Sequence, residues 1–337
     1  MPVIMTNSDF RSVSKALQTR KDIKEFLLSD RPIREIFNFD VSMLPHRVEL
    51  YKRLYTVIEG TGCYCVHLPN NNLLRIKMEY ANSMGNNHYS RYWMPYLFIA
   101  EAFGVINPDK TEILEITSGS AGISLALACK ELGYALTMIV PSMLPESRVK
   151  PISDAGAKLI KVEGYIDNCV LKLRELIQTG QYFAANHSEE TSNFTVHVFS
   201  RIASEYYQQF GSPDYAVIGT GNGTTTEAIF KYFKKKSEAT RLYTYHPNIN
   251  GSQVIFGLYG RSPILFRHVE NVKGLADKIF DTDTVNTDEV KQYFANDTEI
   301  SNLGVSSIYG VSLAYLMSQF ENNKTFFTIG YDKRDRY

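Results

Sequence analysis

Between Ser90 and Tyr245, short runs of β-branched and aliphatic residues alternate with longer segments of helical period, and few folds accommodate that rhythm. A helix is predicted from Ser90 to Phe103, ending at Gly104. A strand follows at Glu112 to Ile116, then a helix from Gly122 to Leu132 stopped by Gly133, then a strand from Ala135 to Val140 closed by Pro141. The pattern continues with a helix over Glu146 to Ala155, a strand at Lys158 to Val162, a helix from Tyr165 to Thr179 and a strand at Tyr182 to Ala184. It then repeats: helix Val198 to Phe210, strand Tyr215 to Gly219, helix Thr225 to Lys234, strand Arg241 to Tyr245. Strand, helix and strand at this spacing require crossover connections and a parallel sheet. The fold class is therefore α/β. Two successive series predict two lobes with a cleft between them, where ligands of such sheets bind beyond the carboxyl ends of the strands.

The segments before this series read differently. Cys63 to His67 and Leu73 to Met78 are β-rich runs flanking Pro69-Asn70-Asn71-Asn72, which predicts a hairpin. Residues 1–45 are polar and helical with a patchy period, and are expected to form an N-terminal extension. The smaller lobe is expected over 73–187, and the larger over 46–72 together with 188–337.

A length of 337 residues suffices for a large core, and 36 basic against 36 acidic residues leave a formal charge of zero. That balance gives no sign of an electrostatic partner such as nucleic acid or an anionic membrane, and a small or zwitterionic ligand fits better. No apolar run reaches the ~20 residues that span a bilayer, and the first twenty residues lack an apolar signal core. A soluble cytoplasmic protein is expected. Cys63, Cys65, Cys129 and Cys169 are too scattered for a disulfide framework, and Cys63-x-Cys65 lacks the second ligand pair of a zinc site. Reduced core thiols and no metal are expected. The basic helix end Lys231, Lys234, Lys235 and Lys236 complements a helix dipole.

Three turns carry residues suited to chemistry. Thr117-Ser118-Gly119-Ser120-Ala121-Gly122 joins a strand to a helix, where backbone amides and the helix dipole attract a carboxylate or phosphate. A plain N-cap by Ser120 uses the same residues. Gly219-Thr220-Gly221-Asn222-Gly223-Thr224 has three glycines in five positions, so the chain can wrap closely, and its amides and threonines can hold a phosphate dianion. It has neither the Gly-Lys-Ser/Thr of a Walker loop nor dinucleotide-type glycine spacing. Gly304-Val305-Ser306-Ser307 precedes an apolar stretch, where paired serines also serve as simple caps.

In this order the three turns resemble those of the fold-type-II pyridoxal-phosphate enzymes, the cysteine synthases, cystathionine β-synthases and tryptophan synthase β chains, from about Ile58 to Leu316. Ile58-Glu59-Gly60-Thr61 looks like that family's opening Ile-Gly-x-Thr-Pro turn, and Lys77-x-Glu79-x-x-Asn82 like its Lys-x-Glu-x-x-Asn-Pro. The resemblance implies a two-lobed tryptophan synthase β-like fold and a homodimer. It implies a substrate carboxylate on Thr117, Ser118, Gly119, Ser120 and Ala121, and the cofactor phosphate on Gly219, Thr220, Gly221, Asn222, Gly223 and Thr224. It places Ser306 opposite the pyridine nitrogen, with Ser307 as the other candidate.

One departure is chemically decisive. The family tethers its cofactor through a lysine in Asn-Pro-x-x-Ser-x-Lys-Asp-Arg, whereas this chain reads Asn82-Ser83-Met84-Gly85-Asn86-Asn87-His88-Tyr89-Ser90-Arg91, one residue longer. Counting forward the lysine position is His88, and counting back it is Tyr89. Neither an imidazole nor a phenol has the two replaceable hydrogens that an imine requires. Ser120 also replaces an asparagine that contacts the cofactor. Lys77, on the matched strand, and Lys150, on a matched surface helix, are the other amines to consider. Three readings follow. Pyridoxal phosphate is held non-covalently, with His88 or Tyr89 moving the proton and an amino-acid-like substrate undergoing β-elimination or β-replacement, as in a lyase or transferase of amino-acid metabolism. Alternatively the cup holds another phosphorylated ligand, or the chain is a pseudoenzyme that binds a partner. His187 and His197 are expected to face solvent or to be satisfied structurally, and Tyr92, Trp93 and Tyr96 to form a core-facing stripe or to line a cavity with Tyr89.

Overall fold

The computed structural model describes residue 17 and residues 19–185, 187–188, 193–248, 253–260 and 266–336. The part of the predicted N-terminal extension on residues 1–16 and 18 lies outside the described residues. Two compact units emerge, one comprising residues 1–59 and 82–198, the other residues 60–81 and 199–337.

The second unit holds the predicted hairpin, strands β1 (Cys63–Leu68) and β2 (Asn72–Met78), which pair antiparallel. Asn70 and Asn71 take positive φ in the turn, a conformation that asparagine tolerates better than other side chains. The first unit contains β3 (Glu112–Ile116), β4 (Ala135–Pro141), β5 (Lys158–Val162) and the short β6 (Phe183–Ala184), all parallel in the order β5-β4-β3-β6. Helices Ser120–Leu132, Glu146–Asp154 and Ile166–Ile177 connect them.

The second unit continues with β7 (Tyr215–Gly219), β8 (Arg241–His246), β9 (Lys278–Asp281) and β10 (Thr325–Gly330). Its sheet runs β1-β2-β10-β7-β8-β9, parallel except for the hairpin. Sheet pairing rather than chain continuity thus decides the division. Residues 73–81, expected in the smaller lobe, belong to the second unit because β2 pairs with β10. Residues 46–59, expected in the larger lobe, fall in the first unit. There Phe37 and Tyr51 pack with Phe98 of the helix Ser90–Ala102, Tyr55 packs on Phe37, and Arg47 forms a two-pronged ion pair with Glu101 at 2.7 and 2.8 Å.

All four cysteines are free, but only Cys129 and Cys169 are core thiols. Cys63 is half-buried and Cys65 exposed, since β1 is a sheet edge. Burial pushes the Cys63 thiol up to about 11, so it stays protonated at neutral pH. Among the described residues no helix is long and apolar enough to cross a membrane, and no group of three or more metal-ligating side chains occurs.

Candidate functional site

In the first unit, β3 leads into a turn held from three sides. Thr117 Oγ1 accepts hydrogen bonds from the backbone of Gly119 (3.0 Å) and Gly122 (2.9 Å). Gly119 adopts φ 142°, and a Cβ there would lie 2.5 Å from Nη1 of Arg148, a buried side chain that donates to the Ser118 carbonyl at 3.0 Å. The indole N–H of Trp93 donates to the Ala121 carbonyl at 2.9 Å. Gly119 is the N-cap residue and Ser120 the first helical one, with no side-chain cap bond, so the plain-cap reading of Ser120 does not apply. A buried arginine beside the N-terminus of a 13-residue helix creates positive potential suited to a carboxylate.

His88 is buried and Tyr89 half-buried, immediately before the helix Ser90–Ala102. Their rings lie 4.2 Å apart. Tyr89 also meets the ring of His187 edge-on at 5.5 Å, and Trp93 meets it at 5.2 Å. His187 is therefore not solvent-facing. Its Nδ1 stands 3.5 Å from the buried Glu115 carboxylate, which accepts the backbone N–H groups of Ile116 and His187. Neighbouring β3 brings Glu115 here, a proximity that no sequence spacing announced. Tyr92, Trp93 and Tyr96 are fully buried, which makes them the core-facing stripe.

Neither alternative lysine has an idle amine. Lys77 is fully buried in the second unit, donating to the carbonyl and hydroxyl of Thr61 and to Glu205 at 2.7 Å. Lys150 is exposed on the first unit and paired with Asp154 at 2.7 Å.

In the second unit, the glycine turn follows β7 and opens the helix Thr224–Lys236. The glycines are required by the chain's approach to itself. A Cβ on Gly219 would meet Tyr245 and Leu258 at 2.8 Å, one on Gly221 the Gly257 carbonyl at 2.5 Å, and one on Gly223 the His268 backbone at 2.5 Å. Gly223 also has φ +91°, which disfavours any side chain. The Thr220 hydroxyl bonds to those of Thr244 (2.6 Å) and Thr226 (3.2 Å), and the Thr224 hydroxyl donates to Asn222 Oδ1 at 2.8 Å. These hydroxyls shape the turn, so its capacity for an anion rests chiefly on the helix N-terminus. Glu227, in the first turn of that helix, would oppose an anion. Burial alone would raise its carboxyl, yet hydrogen bonds from His268 (2.6 Å), Lys231 and Asn271 (3.0 Å) hold it down at about 2, and those partners offset its charge.

Ser306 and Ser307 are buried at the start of the helix Val305–Ser318, and neither caps it, since Gly304 is the N-cap and makes no side-chain cap bond. Ser307 Oγ accepts the Tyr331 backbone N–H at 2.9 Å, whereas Ser306 offers its carbonyl to the Tyr245 hydroxyl at 2.8 Å. Adjacent parallel strands β7 and β10 end at the same side of the sheet. Tyr331, just past β10, therefore reaches the glycine turn, donating its hydroxyl to the Gly219 carbonyl at 3.1 Å. The next residue, Asp332, accepts the Gly304 N–H at 2.9 Å. A few residues after β10 thus brace both the turn and the serine helix, a role that no local motif marked.

A cysteine synthase of Flavobacterium sp. is 27% identical over 257 residues, which cover 74% of this chain and 81% of the relative. One from Staphylococcus aureus is 30% identical over 176 residues, 51% of this chain, so that the chain spans just over half (56%) of that relative's length. Among solved structures, a hydrogen sulfide-producing enzyme from Fusobacterium nucleatum superimposes with a TM-score of 0.75 at 21% identity, covering 84% of this chain and 98% of that one. An O-acetylserine-dependent cystathionine β-synthase from Helicobacter pylori gives 0.74 at 22%, covering 84% and 96%. At such identities the solved structures establish a shared fold, the two-lobed α/β architecture expected above. Residues 64–301 match the family model described as pyridoxal-phosphate dependent enzyme, and the chain belongs to that family.

Proposed function

We propose that this chain is a cysteine-synthase-like enzyme that performs elimination or replacement at Cβ of an amino-acid-like substrate, with pyridoxal phosphate held without a covalent tether. The observation that carries the reading is the segment from Asn82 to Arg91, which has no primary amine, while Lys77 and Lys150 are both engaged elsewhere. The residues present fit the cofactor's phosphate. The turn opens a 13-residue helix, Gly223 supplies a left-handed residue of the kind that forms anion-binding nests, and the nearby Glu227 is neutralised by its partners.

Under this reading Gly219 to Thr224 hold the phosphate, and Ser306 presents its hydroxyl to the ring nitrogen. Thr117 to Ala121 orient the substrate carboxylate with help from the Arg148 charge. His88 or Tyr89 moves the proton at Cα. An imidazole suits that task near pH 7, whereas a phenol of reference pKa ~10 needs its surroundings to assist. When bound, the cofactor supplies an electron sink for charge left at Cα.

Absorbance titration with pyridoxal phosphate, alone and with O-acetyl-L-serine, tests the reading. Expected are saturable binding, loss of colour on dialysis, and no cofactor fixed to the chain by borohydride in the mass spectrum. Failure to bind under either condition, or a borohydride-stable adduct on a lysine, overturns it. A second reading, a catalytically silent relative that binds a phosphorylated ligand or a partner, is favoured by the glycine turn itself, since close packing of the chain accounts for each glycine. Turnover that disappears when His88 and Tyr89 are replaced eliminates that alternative.

A further inference from the structure

Asn87, within the lengthened turn, is buried in the first unit, only 1% exposed. A primary amide has two donor hydrogens and a carbonyl with two lone pairs, and Asn87 uses all four. Its Nδ2 donates to the Gly85 carbonyl at 2.7 Å and to the Ser120 carbonyl at 3.1 Å. Its Oδ1 accepts from the Tyr89 backbone N–H and from the Ser124 hydroxyl, both at 2.9 Å. The orientation is forced, because the Tyr89 N–H can only donate and the two carbonyls can only accept. Left-handed Gly85 (φ +81°) and Asn86 (φ 47°) turn the chain so that Asn87 faces inward, and a Cβ on Gly85 would lie 2.6 Å from Ser124 Oγ. Two of the four partners thus belong to the turn that carries His88 and Tyr89. The other two belong to the helix whose first residue, Ser120, ends the small-residue loop.

We propose that Asn87 is a positioning residue that locks the His88–Tyr89 turn to the Thr117–Ala121 loop, so that the two shift together when a carboxylate binds. The Trp93–Ala121 bond lies alongside this lock, so the segment from Asn87 to Trp93 grips two successive carbonyls of the loop. The proposal deepens the functional reading above and rests on it for the carboxylate, but the lock itself is a property of the unliganded chain.

Trp93 is the single tryptophan of the sequence and its indole N–H is bonded to the loop, so one resonance in a proton–nitrogen spectrum reports the loop's position. Three variants separate the bonds. Asn87→Asp keeps an acceptor for Tyr89 and Ser124 but turns an oxygen toward the Gly85 and Ser120 carbonyls. Asn87→Ala removes all four bonds, and Ser124→Ala removes one that does not involve the loop carbonyl. In the full chain without ligand, Asn87→Asp and Asn87→Ala are expected to shift the indole resonance and to speed its hydrogen exchange about tenfold, the effect of losing one well-made hydrogen bond. Ser124→Ala is expected to leave it in place. With pyridoxal phosphate present, Asn87→Asp is expected to weaken O-acetyl-L-serine binding about tenfold while cofactor affinity changes less than about twofold.

An unchanged indole resonance in folded Asn87→Asp overturns the proposal, as does an equal loss of cofactor affinity. If neither Asn87 variant folds, the wild-type chain decides. Its Tyr89 amide must exchange at least about tenfold more slowly than that of exposed Asn86, and equal rates overturn the lock. If wild type binds neither cofactor nor amino acid, the functional reading fails while the indole and exchange measurements, which need no ligand, still judge Asn87.

Discussion

The turn from Ile116 to Ser120 in the first unit and the turn from Gly219 to Thr224 in the second make the same connection, from the end of a parallel strand to the N-terminus of a 13-residue helix. The chain holds them differently. The first is clasped by side chains: the Thr117 hydroxyl, the Arg148 guanidinium and the Asn87 amide bond its backbone, and the Trp93 indole bonds the next carbonyl, that of Ala121. The second also has hydroxyl bonds from Thr226 and Tyr331, but it leans more on its three glycines, whose built Cβ atoms would lie 2.5–2.8 Å from neighbouring backbone or side chains. A side-chain clasp tolerates small changes in shape and fails when a donor or acceptor is lost. A glycine-built turn has the opposite sensitivity.

The largest effect is expected at Gly223. Gly223→Ala places a methyl 2.5 Å from the His268 backbone and imposes φ +91° on a residue with a Cβ. The two costs together are expected to remove roughly 3 kcal/mol or more from stability in a denaturant titration. Gly211→Ala is the control. Gly211 has φ +74° but nothing within 4 Å of a built Cβ, so about 1 kcal/mol should be lost. Equal losses would mean that close approach does not hold the second turn, and the contrast would fail.

Thr117→Val comes next. The shape is kept, but the buried N–H groups of Gly119 and Gly122 lose their acceptor, at a cost of about 2 kcal/mol. Thr117→Ser keeps the hydroxyl and should recover most of it. If serine is as damaging as valine, packing rather than hydrogen bonding clasps the first turn.

Much of this was legible in the sequence, and the part that was not shares one cause. β3, β5 and β7 have the predicted residues, because a short apolar run between turn signals carries its own boundaries. The turns were legible too, since small residues at a strand-to-helix junction have few other uses. The units are bounded differently from the expected lobes because β10 enters the sheet between β2 and β7. A run such as Thr325–Gly330 does not reveal its partners, because register is settled by packing between distant segments. The same holds for Tyr331 on Gly219, Asn87 on Ser120 and Glu115 beside His187. Each is a contact between residues far apart in the chain, and each decides how a locally legible motif is held. His187, read as unremarkable from its surroundings in the sequence, acquires its meaning only through Tyr89 and Glu115.

The smallest effect is expected at Tyr331, and it probes the contrast most finely because Tyr331 is a side-chain support for the glycine-built turn. Tyr331→Phe removes the hydroxyl that donates to the Gly219 carbonyl at 3.1 Å, but Thr226 Oγ1 still donates to that carbonyl at 3.0 Å. The acceptor is not left bare, so the loss should be about 0.5–1 kcal/mol, with pyridoxal phosphate affinity falling about two- to threefold in a fluorescence titration. The Tyr331 backbone N–H keeps its bond to Ser307, so the serine helix should not move. Adding Thr226→Val removes the second donor and strands a carbonyl, and the double variant should lose more than the sum of the two single ones. A tenfold loss from Tyr331→Phe alone would show that the second turn, like the first, hangs on a side chain, and that its glycines permit the fold without holding it.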